Sequence, residues 1–232
     1  MPAPPRPTLA LPPRPTATPP EIDRDALEAG AARLGLVLTD AQIQALLDFS
    51  RLLLRWNRVH NLTAIEAGEA FLTHHLLDSL AIVRPLRDRA TGRDAVRVLD
   101  VGAGGGLPGV PLAICCPNWS ITLVDAVQKK AAFLTQVALE LRLAHVSVRH
   151  ARVETLAGQF DFITSRAFAS LRDFVTWTHP LLAPGGAWLA MKARLDDAEI
   201  AALPSDVRLN AVLPLAVPGL EEERHLLEIS PT

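Results

Sequence analysis

The chain has 232 residues, of which 49% are hydrophobic and 21% are charged, and its formal net charge is −2. This composition is typical of a globular protein, so it excludes fibrous and intrinsically disordered chains. The length suits one large domain, or one domain with a small extension. The near-neutral charge argues mildly against RNA or DNA binding, because proteins that bind polyanions usually carry an excess of Lys and Arg.

The two cysteines, Cys115 and Cys116, are adjacent in the sequence. Neighbouring cysteines seldom reach the Cα separation of a disulfide, so we expect two reduced core residues in a cytoplasmic protein. The chain has no Cys/His spacing typical of a zinc site, and we expect no metal. It has no apolar run of about 18 residues and no apolar segment at its start, so we expect neither a membrane span nor a secretory signal.

Composition divides the chain into three predicted parts. Residues 1–20 contain nine of the 19 prolines, which predicts a disordered or polyproline-II tail, because proline lacks the N–H that a helix or a central strand requires. Residues 21–93 predict an N-terminal helical extension. Residues 94–232 alternate between strand and helix patterns and predict the main domain.

The helical extension is expected to contain two amphipathic helices. Asp40 is the predicted N-cap of the first, whose apolar face runs along 43–54. A polar break over 56–63 separates it from the second helix, predicted over 66–83. Apolar residues recur at helical spacing in both, so each helix is expected to bury one face.

The main domain predicts a mostly parallel sheet covered by helices on both faces. The predicted strands are 96–101, 119–124, 146–149, 160–164, 187–191, 210–217 and 224–229. Helices are predicted up to about Cys116, over 128–143 and over 170–182, where a Pro-Gly-Gly sequence ends the last one. No helix separates the final two strands, so we expect them to pair antiparallel.

The strongest local signal is a glycine-rich loop after the first of these strands. Five of the chain's 13 glycines fall between Gly102 and Gly109, and Asp100 stands two residues before the first of them. Glycine permits a positive φ and a close approach of a ligand, and ligands of α/β sheets bind at the carboxyl ends of strands. A dinucleotide and S-adenosylmethionine both use such a loop. Asp100 favours S-adenosylmethionine, because a carboxylate would repel a pyrophosphate but could hold an ammonium group through water or order the loop.

Three later segments are candidates for the same site. Asp125 ends the second strand, where its carboxylate can accept hydrogen bonds from ribose hydroxyls. Val153 and Glu154 follow the third strand and can contact an adenine edge, or they can simply begin a helix. Arg166 ends the fourth strand, where it is either a clamp for a carboxylate or phosphate or a solvated charge.

These motifs resemble the bacterial 16S ribosomal RNA guanine-N7 methyltransferases called RsmG or GidB. The resemblance covers about residues 40–195. The segments that carry it are Trp56-Asn57, Asn61-Leu62-Thr63, His75-Leu76-Leu77-Asp78-Ser79, the loop from Asp100 to Leu112, Ser165-Arg166-Ala167-Phe168-Ala169-Ser170-Leu171 and Ala190-Met191-Lys192. The resemblance implies a Rossmann-like class I fold with a seven-stranded sheet, and methyl transfer from S-adenosylmethionine to N7 of guanosine 527.

The resemblance also implies which residues bind the cofactor. They are Gly102, Gly104, Leu107, Asp125, Ala126, Val153, Glu154 and Arg166. The expected substrate is 16S rRNA or the small ribosomal subunit, and we expect a monomer. Candidate RNA contacts are Arg166, Lys192, Arg194, Arg58 and His60, with Phe168 as a second stacking residue beside His60.

The chemistry of guanine N7 requires no catalytic residue. N7 has a lone pair and no proton, so the enzyme has to align N7 with the methyl group rather than remove a proton. His74 and His75 are therefore expected to be packed or solvated. The alternatives are a methyltransferase for another RNA, a protein or a small molecule, an NAD-dependent oxidoreductase, and a non-catalytic interaction protein that keeps the loop.

The distribution of charge removes the objection to an RNA substrate. Residues 196–232 contain eight acids and two arginines, whereas residues 1–195 contain 21 basic and 17 acidic residues. The whole-chain charge therefore averages an acidic C-terminal stretch and a mildly basic body. This body predicts a modest and salt-sensitive affinity for RNA.

Overall fold

The computed structural model describes residues 22–60, 62–63, 68–166 and 168–232. The proline-rich tail predicted over 1–20, the predicted helix start at Glu66, and Asn61 and Ala167 of the motifs lie outside these residues. None of the helices in the described part is long and apolar enough to cross a membrane.

The helices precede, connect and flank the strands of a single sheet. The α-helices are α1 (Arg24–Arg33), α2 (Asp40–His60), α3 (Glu69–Phe71), α4 (Asp78–Leu80), α5 (Val83–Arg89), α6 (Gly109–Cys115), α7 (Gln128–Glu140), α8 (Leu171–Thr178) and α9 (Asp197–Ala201). A π-helical segment covers Leu72–Leu77, and 3₁₀ turns cover Val153–Thr155 and His179–Leu181.

The sheet confirms the predicted fold class. Its strands are β1 (Arg97–Val101), β2 (Ser120–Asp125), β3 (Val146–His150), β4 (Phe160–Arg166), β5 (Leu182–Lys192), β6 (Val207–Pro214) and β7 (His225–Pro231). The order across the sheet is β3-β2-β1-β4-β5-β7-β6. The first five strands are parallel, whereas β7 pairs antiparallel with both β5 and β6, as expected for the last two strands.

The start of α2 differs from the prediction. Thr39, not Asp40, caps this helix: its Oγ1 accepts a hydrogen bond from Gln42 N, and Gln42 Oε1 accepts one from Thr39 N. This reciprocal pair is a capping box, and it satisfies two backbone donors at once. The side chain of Asp40 instead pairs with Arg24 at 2.6 Å.

The polar break predicted after α2 begins later than expected. The helix continues to His60, because Trp56 and Asn57 face inward rather than to solvent. The Trp56 ring packs 5.5 Å from that of Phe133, and Asn57 Oδ1 accepts the backbone N–H of Thr63 at 2.8 Å. Tertiary contacts thus extend a helix whose last turns look polar in the sequence.

The second predicted helix is not one regular helix, because α3, the π-helical segment and α4 divide it. Thr73 Oγ1 donates to the carbonyls of Glu69 and Ala70, at 3.1 and 3.3 Å. Arg166 of β4 donates to the carbonyl of His74 at 3.0 Å. Side chains therefore donate hydrogen bonds to carbonyl groups of this segment, and such bonds distort a regular α-helix.

Two boundaries in the second half also differ from the prediction. The helix predicted to reach Leu182 ends at Thr178, and Leu182 already pairs with Phe160, so β5 starts before the Pro-Gly-Gly sequence. The strand predicted over 210–217 starts at Val207, which pairs with Pro231 of β7. In both places strand pairing with a distant segment sets the boundary.

The N-terminal helices pack on the same hydrophobic core as the sheet. This core runs without interruption from Leu27 and Leu46 of the extension to Phe162 and Leu226 of the sheet. Cys115 and Cys116 are buried in it, and burial raises the pKa of the Cys115 thiol to about 12. Both cysteines are small core residues, as expected.

Candidate active site

The glycine-rich loop connects the end of β1 to α6. Its backbone is held by hydrogen bonds from Ala103 N to Val124 O at 3.0 Å and from Gly106 N to Ala103 O at 2.7 Å. Gly102 has a φ of +66°, and a Cβ atom there would lie 2.6 Å from Cδ2 of Phe168. Glycine is therefore required at this position for both its conformation and its close approach to the ring.

Asp100 fixes the conformation of the glycine-rich loop through a buried hydrogen bond. The residue is fully buried, and its Oδ2 accepts the backbone N–H of Gly109 at 2.9 Å. A Cβ atom at Gly109 would lie 2.5 Å from this oxygen, so the contact requires glycine. Burial raises the pKa of Asp100 to about 7, because the carboxylate loses its hydration. Asp100 is expected either to hold an ammonium group through water or to order the loop, and the described residues show the second of these roles.

Asp125 holds the loop from the neighbouring strand. Its Oδ2 accepts the N–H of Gly104 at 2.9 Å, and its Oδ1 accepts the N–H of Val127 at 2.8 Å. A carboxylate has about four acceptor positions, so each oxygen retains one for a ligand hydroxyl. Asp125 is thus fixed in place by backbone donors and can still bind a ribose.

A narrow cavity of about 110 Å³ lies beside Asp125. It brings together predicted residues from three strand ends, because the carboxyl ends of parallel strands meet at one edge of the sheet. Its lining includes Gly102, Asp125, Ala126, Val153 and Glu154. Phe168 also lines it and contacts Trp177 edge-to-face at 5.9 Å, so this aromatic residue lies beside the narrow cavity rather than in the larger one.

A larger cavity of about 670 Å³ adjoins the narrow one at Gly102. Of the predicted residues, Gly102, Gly104, Leu107, Arg166, Lys192 and Arg194 line it. Lys192 donates to Glu199 Oε1 at 2.6 Å, and Glu199 also accepts the N–H of Leu171 at 2.8 Å. Arg194 is exposed at the rim.

Arg166 is not a solvated surface charge, because its guanidinium is hydrogen-bonded within the protein. Its Nη1 donates to Asp78 Oδ2 at 3.1 Å and to the His74 carbonyl at 3.0 Å. Asp78 is buried on α4, and its Oδ1 forms an ion pair with Nε of Arg224 at 3.2 Å, although this oxygen accepts no hydrogen bond from the described residues. Two cationic groups from distant parts of the chain therefore meet at one carboxylate in the wall of the larger cavity.

His75 in the same wall is a neutral, packed residue, as expected. Burial and the nearby charge of Arg166 lower the pKa of His75 to about 4. Its Nε2 is hydrogen-bonded to Thr63 Oγ1, and its ring meets that of Phe71 edge-to-face at 5.1 Å. His75 thereby attaches the end of the Leu62–Thr63 segment to the cavity wall.

Two of the candidate RNA contacts lie away from both cavities. Arg58 and His60 are on the last turn of α2 and are absent from both linings. The His60 ring lies 5.0 Å from that of Trp56, and its carbonyl accepts Lys129 Nζ at 2.9 Å.

Sequence reasoning missed Asp78, Arg224 and His225 as cavity residues. Asp78 carried a signal, because it is an acid within an otherwise apolar stretch of the predicted helix. Arg224 and His225 follow three glutamates, which resemble a solvated surface segment.

The residues of the two cavities fit a nucleoside whose tail carries a carboxylate as well as positive charge, because acids line the narrow cavity and Arg166 shares the lining of the larger cavity with the glycine loop. The narrow cavity combines two acids, Asp125 and Glu154, with one cation, Arg152, and with apolar and aromatic walls, which suits ribose hydroxyls and a base better than a pyrophosphate. The buried Oδ1 of Asp100 has no hydrogen-bond partner among the described residues. This set suits S-adenosylmethionine better than a dinucleotide.

The glycine loop after β1, the acid at the end of β2 and the sheet order together define a class I methyltransferase fold. Comparison with solved structures agrees. Magnesium protoporphyrin IX methyltransferase from Synechocystis PCC 6803 superposes with a TM-score of 0.57 at 16% identity, over 84% of this chain and 99% of that one. This similarity shows the fold.

A family model, described as rRNA small subunit methyltransferase G, matches residues 42–227. A protein of that name from Acidovorax sp. strain JS42 is 54% identical over 213 residues, which are 89% of this chain and 94% of the relative. The relative from Methylibium petroleiphilum is 55% identical over 85% of this chain and 90% of its own length. The chain belongs to the rRNA small subunit methyltransferase G family, and S-adenosylmethionine is its methyl donor.

Proposed function

We propose that this chain methylates N7 of guanosine 527 in 16S rRNA. The observation that carries the proposal is the charge of the larger cavity. Its lining contains Lys130, Arg166, Lys192, Arg194 and Arg224 but only two carboxylates, Asp78 and Glu199. Both carboxylates are ion-paired with members of that basic set, so the wall has an excess of positive charge for a polyanionic substrate.

The same pairing fits a reaction without a general base. Bound S-adenosylmethionine supplies an electrophilic methyl group, and guanine N7 offers a lone pair with no proton to remove. Asp78 and Glu199 are held by cations, and His75 is bonded to Thr63. These residues therefore shape and charge the cavity, and the site contributes alignment and exclusion of water.

The proposed cofactor site joins the two cavities. Asp125 would accept hydrogen bonds from ribose hydroxyls, while Ala126, Val153 and Glu154 would surround the adenine. Gly102, Gly104 and Leu107 would line the amino-acid end, next to Arg166.

RNA would enter over Arg166, Lys192 and Arg194, with Arg58 and His60 as outlying contacts on α2. We propose that the protein acts as a cytoplasmic monomer, in which residues 21–93 and 94–232 function together on their shared core.

A modification map of 16S rRNA tests the proposal. Deletion of the gene is expected to remove one N7-methylguanosine, which borohydride and aniline cleavage followed by primer extension detects at nucleotide 527. Re-expression of the wild-type chain should restore it. Gly104→Asp should not, because this substitution places a negative charge in the loop beside Asp125. An unchanged map, or loss of a methyl group elsewhere, would contradict the proposal and favour another RNA, a protein or a small molecule as substrate.

A further inference from the structure

Asp78 lies between two arginines, and neither Asp78 nor Arg224 is among the residues of the cofactor site proposed above. The Asp78 side chain is 4% exposed, with Oδ2 at 3.1 Å from Arg166 Nη1 and Oδ1 at 3.2 Å from Arg224 Nε. Arg166 ends β4, whereas Arg224 immediately precedes β7. We call these three residues the Asp78 cluster.

Each arginine of the cluster retains guanidinium N–H groups that have no hydrogen-bond acceptor among the described residues. Nη1 of Arg166 is occupied by Asp78 and the His74 carbonyl, and Nη1 of Arg224 donates to the Glu223 carbonyl at 2.8 Å. Within the described ranges, no acceptor is bonded to Nη2 of either guanidinium. Both side chains line the larger cavity. Such a planar set of donors matches the oxygens of a phosphate.

We propose that Asp78 is a positioning residue, which orients Arg166 and Arg224 towards an RNA phosphate in the larger cavity. The inference rests on the proposed function, because it specifies how that site holds its RNA. Asp78 is the least exposed member of the cluster, with 4% of its side chain exposed against 23% for Arg166 and 17% for Arg224, so the two guanidiniums rather than the carboxylate would contact the substrate.

The physical reason is the order that one carboxylate imposes on two long side chains. Two neighbouring guanidiniums repel each other, and each loses rotamer freedom when it binds a ligand. A carboxylate between them cancels the repulsion and orders both before RNA arrives. The carboxylate also lowers the positive charge of the cluster. Its removal would therefore strengthen RNA binding through the higher charge and weaken it through the loss of order, and we expect the loss of order to be the larger effect.

Asp78→Asn is the main test, because it removes the charge with almost no change in shape. Asp161→Asn is the matched control. Asp161 also lies between two arginines, with Arg93 Nη1 at 3.2 Å and Arg97 Nε at 3.3 Å, but at the opposite end of β4. The substrate is 16S rRNA, free or in 30S subunits, from a strain that lacks this enzyme.

We expect Asp78→Asn to raise the KM for this RNA by about tenfold, the effect of losing order in one or two long side chains. The kcat should not change, and any change in the Kd for S-adenosylmethionine should be smaller than the change in KM, although Arg166 also adjoins the proposed cofactor site. Asp161→Asn should match the wild type in all three quantities. In a chain that carries Arg224→Ala, Asp78→Asn should raise KM by clearly less, because one of the two oriented groups is gone.

Arg224→Ala alone gives an independent measurement. It tests the proposed phosphate contact even if the Asp78→Asn chain does not fold. It should reduce the slope of log Kd against log salt by about 0.7, the value for one phosphate contact on single-stranded RNA. An unchanged slope would overturn the proposal.

Three results with an active wild-type enzyme would also overturn it. In the first, Asp78→Asn has the same KM for RNA as Asp161→Asn. In the second, Asp78→Asn binds RNA more tightly than the wild type. In the third, the only defect of Asp78→Asn is weaker S-adenosylmethionine binding. A wild-type chain that does not methylate 16S rRNA would instead refute the proposed function, and the role of Asp78 with it.

Discussion

Replacing Asp100 with Asn removes a titrating group from the core beneath the glycine loop. Asn retains an oxygen that can accept the N–H of Gly109, the 2.9 Å hydrogen bond seen for Asp100. Burial raises the pKa of Asp100 from 3.8 to about 7. The carboxyl group is therefore protonated over a wider pH range in the folded chain than in the unfolded chain.

This difference in pKa sets the sign and size of the expected effect. Between about pH 4 and pH 7 this carboxyl group binds one proton more in the folded chain than in the unfolded chain, so its contribution to the free energy of unfolding falls as pH rises. One pKa unit corresponds to about 1.4 kcal/mol, so the whole shift corresponds to about 4 kcal/mol. Asn does not ionise, so the Asp100→Asn chain should gain about this much stability relative to the wild type between about pH 4 and pH 8.

Urea unfolding followed by circular dichroism measures the effect, at about pH 5, 6, 7 and 8 and constant ionic strength. The difference between variant and wild type is the informative quantity, because contributions from other groups cancel in it. Asp197→Asn is the control, since Asp197 is exposed on α9. A stability difference for Asp100→Asn that stays constant or declines with rising pH would refute the reasoning.

Two other substitutions test the cavity wall and the loop. His75→Gln should remove the contribution by which His75 lowers the free energy of unfolding as pH falls from 6.5 to about 4, because the lowered pKa of His75 makes protonation favour the unfolded chain. The contribution of Asp100 has the opposite sign in this range, and it cancels when the variant is compared with the wild type. Equal changes in the free energy of unfolding of the variant and the wild type over this pH range, measured with urea, would contradict the expectation. Gly102→Ala should weaken S-adenosylmethionine binding by about tenfold or more in calorimetry, because its Cβ would displace the Phe168 ring. Gly92→Ala is the control, since Gly92 also has a positive φ but nothing lies within 4 Å of its Cβ position. Equal affinities of the two variants would contradict the expected clash.

Local sequence patterns were sufficient for the class of fold and for the grouping of several candidate cofactor residues. Each of the first four strands starts within one residue of its prediction. In β1, β2 and β4 the signal is the apolar run of a buried parallel strand, whereas in the edge strand β3 two valines alternate with polar residues. Gly102, Asp125 and Val153 follow three such strands. Since the carboxyl ends of parallel strands share one edge of the sheet, their grouping followed from the strand pattern.

The boundaries that depend on distant partners could not be read in the same way. The last turns of α2 are polar in sequence, yet Trp56 packs on Phe133 and Asn57 binds Thr63. The π-helical segment includes a carbonyl bound by Arg166 from β4. These interactions join segments far apart in the chain, and no local periodicity encodes them.

The Asp78 cluster shows the same limit at the level of function. Asp78, Arg166 and Arg224 come from a helix, a strand end and a loop. Asp78 stands in an apolar stretch and Arg166 ends a predicted strand, but neither local pattern indicates that the two meet Arg224. Folding buries the carboxylate and brings both guanidiniums within 3.2 Å of it. Periodicity and turn chemistry are properties of neighbouring residues and are therefore visible in the sequence. The pairing of buried charges depends on three-dimensional distance and loss of solvent, and it arises only when the chain has folded.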